Sequence, residues 1–168
     1  MSDKVLFVDD EPAVLEGFRR TLRGKFEVVT AVSGEQGLAA IRDHGPFGVV
    51  ISDLQMPEMD GVQFLARVRQ VAPNSIRLIL TGHAELNTAI SAINEGHIFG
   101  FLSKPCQEKD LVRTIAAALV EHNKRKEERV RIQIPVQLYR FATDARSQLA
   151  TPWKSHAPER GWLGLKSS

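Results

Sequence analysis

Five polar side chains follow apolar runs of the sequence, each at or just after the point where a run stops. They are the side chains of Asp9, Asp10, Asp53, Thr81 and Lys104. If the fold brings these ends together, three carboxylates share one edge and repel one another, and a hard cation with oxygen ligands is the usual remedy. One carboxylate can then accept a phosphoryl group, while a hydroxyl and an ammonium hold its oxygens. These residue types predict a phosphoryl-transfer site with Mg²⁺ as its cofactor.

The five residues differ in the role that their positions favour. Asp53 stands alone at the end of the run Val49–Asp53, which makes it the predicted phosphoacceptor. Asp9 and Asp10 are adjacent and are better suited as metal ligands. Thr81 would donate a hydrogen bond to one phosphoryl oxygen, and Lys104 would supply positive charge.

The elements that position these residues alternate strictly between strand and helix. Five apolar runs predict strands at Lys4–Val8, Phe26–Thr30, Val49–Asp53, Ile76–Leu80 and Ile98–Leu102. The segments between them have apolar residues at helical spacing, and Pro12 and Ser33 mark two helix starts. Such alternation predicts an α/β fold, with a doubly wound parallel sheet covered by helices on both faces. Functional sites of these sheets form at the carboxyl ends of the strands.

Bulk composition limits the class of protein. A chain of 168 residues, with 43% hydrophobic and 25% charged residues, suits one domain and an appendage. Residues 1–115 carry 12 basic and 15 acidic side chains, whereas residues 116–168 carry 10 and 5, so the C-terminal extension is basic. A single cysteine, no apolar run of about 20 residues and no signal-peptide pattern lead us to expect a cytoplasmic protein without a membrane partner.

Four motifs around these residues resemble, in order and spacing, those of the receiver (CheY-like) domain of two-component response regulators. They are Val8–Pro12, Ser52–Gly61, Leu80–Gly82 and Leu102–Pro105. The resemblance covers about residues 3–122, so we predict a receiver domain over residues 1–122. It implies a flavodoxin-like (βα)5 sheet with strand order 2-1-3-4-5.

The resemblance also implies how the site operates. A histidine kinase would donate the phosphoryl group to Asp53, and Mg²⁺ would be held by Asp10, Asp53 and the backbone carbonyl of Gln55, with Asp9 helping through water. A cis Lys104–Pro105 peptide would aim the ammonium at the site. The domain would catalyse its own phosphotransfer and dephosphorylation only, so we do not expect an enzyme with an external substrate.

The resemblance further implies a conformational switch. Thr81 would be drawn toward the phosphoryl group and would couple to an aromatic side chain on the fifth strand, which here is Phe101 where many receivers have tyrosine. A downstream protein would dock on the face formed by the fourth helix, fifth strand and fifth helix, with a homodimer as an open alternative. No DNA-binding domain is evident from the sequence.

The C-terminal extension, residues 123–168, is predicted to be a linker helix followed by an incomplete or diverged output segment. Glu121–Arg129 is a polar helical stretch, and Val130–Tyr139 alternates like a strand with Pro135 favouring a sheet edge. This beginning is similar to the entry of a PilZ domain, which binds cyclic di-GMP, with Arg125 and Arg129 as the arginine pair. Too few residues follow for a complete PilZ barrel, so a fragment is the prediction.

Other functions compete with the phosphorylated receiver. The acidic cluster could hold Mg²⁺ in a binding module, a pseudo-receiver that never accepts phosphate. A receiver with a cyclic di-GMP-binding output is a further alternative. A small phosphatase using Asp53 as its nucleophile is disfavoured, because position 55 is Gln rather than a second acid and no cap insertion is present.

Overall fold

The computed structural model describes residues 4–95 and 98–132, in which five strands alternate with five helices. The elements are β1 Lys4–Val8, α1 Pro12–Thr21, β2 Glu27–Ala31, α2 Gly34–His44, β3 Val49–Asp53, α3 Gly61–Val71, β4 Ile76–Thr81, α4 Leu86–Asn94, β5 Gly100–Ser103 and α5 Glu108–Ile132. A short 3₁₀ turn at His83–Glu85 precedes α4. The predicted alternation of strand and helix is confirmed.

The five strands form one parallel sheet in the order β2-β1-β3-β4-β5. This confirms the predicted flavodoxin-like order, in which β3 is central and β5 is an edge strand. Because all strands run the same way, their carboxyl ends share one edge of the sheet. Asp53 lies beside Leu80 and Thr81 lies beside Ser103 in the register of that edge.

Apolar side chains fill the space on both faces of the sheet. On one face, strand residues such as Leu6 and Val50 pack with residues of α3 and α4, including Phe64 and Ala89. On the other face lie the alternate strand residues and the apolar sides of α1 and α5, namely Val5, Phe7, Leu15, Ile51, Leu111 and Ile115. A central strand buried on both faces loses the in-out alternation of a half-exposed strand, which explains the continuous apolar run before Asp53.

Two helices begin at polar caps close to the carboxyl edge of the sheet. Ser33 Oγ accepts a hydrogen bond from Gln36 N at 3.2 Å at the start of α2. At the start of α3, Asp60 Oδ1 accepts from Gln63 N at 2.8 Å, and Gln63 Oε1 accepts from Asp60 N at 3.2 Å. These caps satisfy backbone groups that would otherwise lack partners and define where the loops after β2 and β3 end.

The loop after β3 folds back onto the end of its own strand at Gly61. The Gly61 N–H donates to the Leu54 carbonyl oxygen at 2.8 Å. A Cβ atom on Gly61 would lie 2.1 Å from the Asp53 carbonyl oxygen. The close approach of α3 to the strand that carries Asp53 therefore requires glycine here.

The structure differs most from the sequence predictions at two chain segments, while the predicted ends of β2 and β4 are off by one residue. β5 begins at Gly100 rather than Ile98, because Gly100 is the first residue that pairs with β4, opposite Leu78. α5 continues to Ile132, so the strand predicted from Val130 is wrong for its first three residues. Helix-forming Lys, Arg and Glu side chains and a Glu121–Arg125 ion pair one turn apart favour this continuation.

The chain divides into a compact unit that ends at Glu128 and a second unit that begins at Arg129. The boundary predicted at residue 122 falls inside α5. Residues 133–168, which include most of the predicted output segment and the predicted PilZ fragment, lie outside the described residues. Among the described helices, none combines the length and apolar character needed to cross a membrane.

The Gly61 contact can be tested by substitution with alanine. We expect Gly61→Ala to lower the free energy of unfolding by about 2 kcal/mol, because the new methyl group meets backbone that cannot rotate away. The matched control is Gly17→Ala in α1, where a Cβ meets nothing within 4 Å, so alanine should stabilise by about 0.5–1 kcal/mol. Urea unfolding measures both changes, and equal effects would contradict the close approach.

Candidate functional site

The predicted site residues from three strand ends meet at the carboxyl edge of the sheet. Lys104 Nζ lies 3.1 Å from Asp9 Oδ2 and 3.0 Å from Asp53 Oδ1. Asp10 follows Asp9, and its carboxylate is exposed. The structure therefore brings together one ammonium group and three carboxylates from three segments that are far apart in the sequence.

Backbone hydrogen bonds hold Asp9 and Lys104 in place. The Asp9 N–H donates to the Ala31 carbonyl oxygen at 3.2 Å, and Asp9 Oδ1 accepts from the Glu11 N–H at 2.9 Å. The Lys104 N–H donates to the Thr81 carbonyl oxygen at 2.8 Å, which extends the pairing of β4 and β5 to the site. The Lys104–Pro105 peptide is cis, as the resemblance implied.

Asp53 is almost enclosed, with 9% of its surface exposed. Its Oδ1 atom accepts a hydrogen bond from the Leu54 N–H at 2.9 Å in addition to the ion pair with Lys104. Burial raises the pKa of Asp53 above its ordinary value; Lys104 and the Leu54 N–H oppose this rise, and the charge of Asp9 adds to it. Ionisation of Asp53 therefore lowers the stability of the folded protein.

For Lys104, the neighbouring carboxylates outweigh burial in shifting the pKa. Burial by itself would lower the pKa of Lys104, but hydrogen bonds and attraction from Asp53 and Asp9 raise the pKa above its usual value. The side chain therefore remains an ammonium at neutral pH. One ammonium nevertheless faces three carboxylates, so the cluster keeps an excess of negative charge.

This excess and the geometry of the carboxylates fit a divalent cation. Asp9, Asp10 and Asp53 each offer one carboxylate oxygen, and these oxygens lie within 4.8 Å of one another. Three hard oxygen donors with surplus negative charge match the preference of Mg²⁺. Gln55, predicted to contribute its backbone carbonyl, lies two residues after Asp53 and lines the adjoining cavity.

That cavity, of about 540 Å³, opens beside the cluster. It is lined by Asp10, Leu54, Gln55, Met56, Pro57, Asp60, Glu85 and Thr88. Its volume is ample for a phosphoryl group and part of the donor that carries it. The arrangement can accept a small anion beside Asp53 once its carboxylates are neutralised.

The two predicted switch residues lie on neighbouring strands at this edge. Thr81 is 2% exposed and its Oγ1 atom donates to the Gly82 carbonyl oxygen at 3.1 Å, with Glu85 Oε2 at 3.5 Å as a second acceptor. Phe101 is 36% exposed and lies beside Ile79, two residues before the level of Thr81. Thr81 and Phe101 therefore face the same side of the sheet.

Sequence reasoning missed Glu85, which contacts the Thr81 hydroxyl and lines the cavity. Its spacing of four residues from Thr81, just before the apolar pattern of α4, was the available signal. Nothing in its residue type separates it from a solvated acid at a helix start.

The two arginines assigned to a cyclic di-GMP motif occupy different surroundings. Arg125 Nε lies 2.7 Å from Glu121 Oε1, and its guanidinium lies 5.6 Å from the centre of the Phe99 ring. Arg129 is exposed. Arg125 is thus already engaged within the first unit, whereas Arg129 is the first residue of the second unit.

The raised pKa of Asp53 predicts a pH-dependent stability. The folded state binds the Asp53 proton more tightly than the unfolded chain, so ionised Asp53 lowers stability above the raised pKa and has no effect well below the ordinary value of 3.8. In chelator, Asp53→Asn should increase the free energy of unfolding at pH 7, and the gain should shrink as the pH falls toward that value.

The exposed Asp43, paired with Arg42, supplies the control for this measurement. Asp43→Asn should leave stability within about 0.5 kcal/mol of the wild type at every pH. Urea unfolding at several pH values checks both variants. A gain in Asp53→Asn that does not vary with pH would contradict the assigned cause.

Comparison with known proteins agrees with this geometry. The family described as "Response regulator receiver domain" matches residues 5–116. The transcriptional regulatory protein GlrR of Escherichia coli K12 is 40% identical over 129 residues, covering 76% of this chain and 28% of GlrR. The DNA-binding transcriptional regulator NtrC of Salmonella typhimurium is 31% identical over 126 residues, covering 74% and 26%. The chain therefore spans less than a third of these relatives.

Solved structures show the same fold. A chain described as adenylate cyclase from Rhodopirellula baltica matches with a TM-score of 0.77 and 36% identity, over 80% of this chain and 99% of that one. A response regulator receiver domain from Clostridium thermocellum matches with a TM-score of 0.67 and 34% identity, over 75% and 98%. The chain belongs to the response regulator receiver domain family, whose members accept phosphoryl groups in signal transduction.

Proposed function

We propose that this receiver is phosphorylated on Asp53 by a histidine kinase and that the phosphoryl group changes its conformation. The observation that carries the proposal is the meeting of Asp53 with Lys104, Asp9 and Asp10 at one edge of the sheet. Among the three carboxylates, Asp53 is the one at the end of the central strand, with its Oδ1 atom held by Lys104 and the Leu54 N–H.

The transfer itself would use the second oxygen of Asp53. No hydrogen bond among the described residues involves Oδ2, so this atom is available to attack phosphorus. Attack forms the Oδ2–P bond and breaks the P–N bond of the phosphohistidine, and the departing imidazole nitrogen takes up a proton. Dephosphorylation by water would complete the cycle, so the domain would act only on itself.

Mg²⁺ would be held by Asp10, Asp53 and the Gln55 carbonyl, with Asp9 acting through water. When bound, it supplies positive charge to the carboxylates and to the transferred group. Asp9 has a second role among the residues of this chain, because its ion pair with Lys104 keeps the ammonium beside Asp53.

Lys104 and Thr81 would hold the transferred group. Lys104 already lies 3.0 Å from Asp53 Oδ1 and can donate to a phosphoryl oxygen while it keeps Asp9 as a partner. Thr81 would turn its hydroxyl to another phosphoryl oxygen. Movement of Thr81 would alter the packing of Phe101 on the same side of the sheet, and this coupling would act through the ring alone because Phe101 has no hydroxyl.

The surface that changes would be the face formed by α4, β5 and α5. Ile90, Phe99 and Phe101 are exposed on these elements and the segment before β5, with 41%, 47% and 36% of their surfaces accessible. We propose that a downstream protein docks here. The longer relatives are named as transcriptional regulators, but the described residues include no DNA-binding domain. The cytoplasmic location stays a prediction.

Covalent labelling tests the phosphoacceptor. Acetyl phosphate with Mg²⁺ should add one phosphoryl group to the wild type, and mass spectrometry of the intact chain should show at least about a tenfold loss of labelling in Asp53→Asn. Asp43→Asn, at an exposed position in the last turn of α2, is the matched control and should label as the wild type does. Labelling that persists in Asp53→Asn would refute the assignment, and absence of labelling in the wild type would favour a pseudo-receiver.

Calorimetric titration tests the metal site. Asp10→Asn should weaken Mg²⁺ binding by roughly ten- to a hundredfold, because it replaces a charged oxygen ligand with a neutral one. Asp60→Asn is the control, since Asp60 lines the same cavity but caps α3, and asparagine caps equally well. Equal weakening in both variants would mean that only the general acidity of the cavity attracts the ion.

A further inference from the structure

Glu85 contacts the end of β4 at Thr81 and the residue that follows it, Gly82. Its Oε2 atom accepts the Gly82 N–H at 3.2 Å and lies 3.5 Å from Thr81 Oγ1. The same carboxylate lines the cavity beside Asp10. One carboxylate therefore contacts the predicted switch threonine and also lines the cavity of the phosphoryl site.

The Thr81 hydroxyl is almost fully buried and has one proton to donate. Its acceptors among the described residues are the Gly82 carbonyl oxygen and Glu85 Oε2. A buried hydroxyl that lost both would pay the cost of desolvation without a partner. The hydroxyl therefore needs these acceptors until another one arrives.

We propose that Glu85 is a positioning residue that holds the Thr81 hydroxyl in the unphosphorylated state and competes with the phosphoryl group for it. The inference rests on the proposed function, because the competition exists only if Asp53 carries a phosphoryl group. Donation to a phosphoryl oxygen requires the Thr81 proton to leave Glu85 and the Gly82 carbonyl. Glu85 thus lowers the affinity of the site for a phosphoryl group without touching that group.

Two other roles would leave the same contacts. Glu85 could only cap the 3₁₀ turn through the Gly82 N–H, in which case its removal would reduce stability and not favour phosphoryl binding. Its charge could also repel an incoming anion across the cavity, in which case the effect would not depend on Thr81. A double-mutant cycle separates the three roles.

The experiment measures binding of beryllofluoride, which mimics a phosphoryl group on aspartate, to the full chain in the presence of Mg²⁺. Amide chemical shifts report binding. Glu85→Ala should bind about three- to tenfold more tightly than the wild type, because Thr81 is released. Glu85→Gln should gain less, since its amide oxygen can still accept from Thr81. In a Thr81→Ala background, Glu85→Ala should bring no gain.

Each other result contradicts the inference. An equal gain from Glu85→Ala with and without Thr81 would assign the effect to charge repulsion. If Glu85→Ala bound beryllofluoride no more tightly than the wild type, or more weakly, Glu85 would act only as a cap. The cap itself would then be seen as faster hydrogen exchange of the Gly82 amide in Glu85→Ala than in Glu85→Gln. A wild type that does not bind beryllofluoride would overturn both this inference and the proposed function, whereas wild-type binding without a gain overturns the inference alone.

Discussion

The ion pairs of Lys104 with Asp9 and Asp53 join the ends of three strands that are distant in the sequence. Without this ammonium, three carboxylates would face one another across a few ångströms at an edge that is partly closed to water. The pairs reduce that repulsion but do not cancel it. The site therefore folds with a remaining excess of negative charge. That charge favours the binding of a cation and the neutralisation of Asp53.

The rest of the fold serves to keep that edge intact. The parallel register aligns the strand ends, and the Lys104 N–H bond to the Thr81 carbonyl carries the alignment one residue beyond β5. Gly61 lets α3 begin directly against the Asp53 carbonyl. A residue with a side chain at position 61 would push this loop away from the end of β3. The close packing of the backbone at Gly61 therefore also maintains the geometry of the site.

The sequence was most informative where a single physical rule dominates. Buried parallel strands need apolar runs, and the polar residues that follow those runs lie at one edge of the sheet. For this reason Asp9, Asp53 and Lys104 could be placed together from the sequence. Glu85 could not be placed, because its contacts depend on how the 3₁₀ turn orients a side chain that looks like any surface acid. The end of α5 was misplaced because the alternating pattern from Val130 was given more weight than the helix-forming Glu, Lys and Arg side chains that precede it.

The two predicted switch residues, Thr81 and Phe101, share one face of the sheet. Movement of Thr81 on phosphorylation, as proposed, would act on Phe101 through ring packing alone, because Phe101 has no hydroxyl to hydrogen-bond. Arg125 of α5 lies over the ring of Phe99, which precedes β5, while it pairs with Glu121. Since the Arg125–Phe99 contact joins α5 to the segment before β5, a shift of that segment would also disturb a contact made by α5.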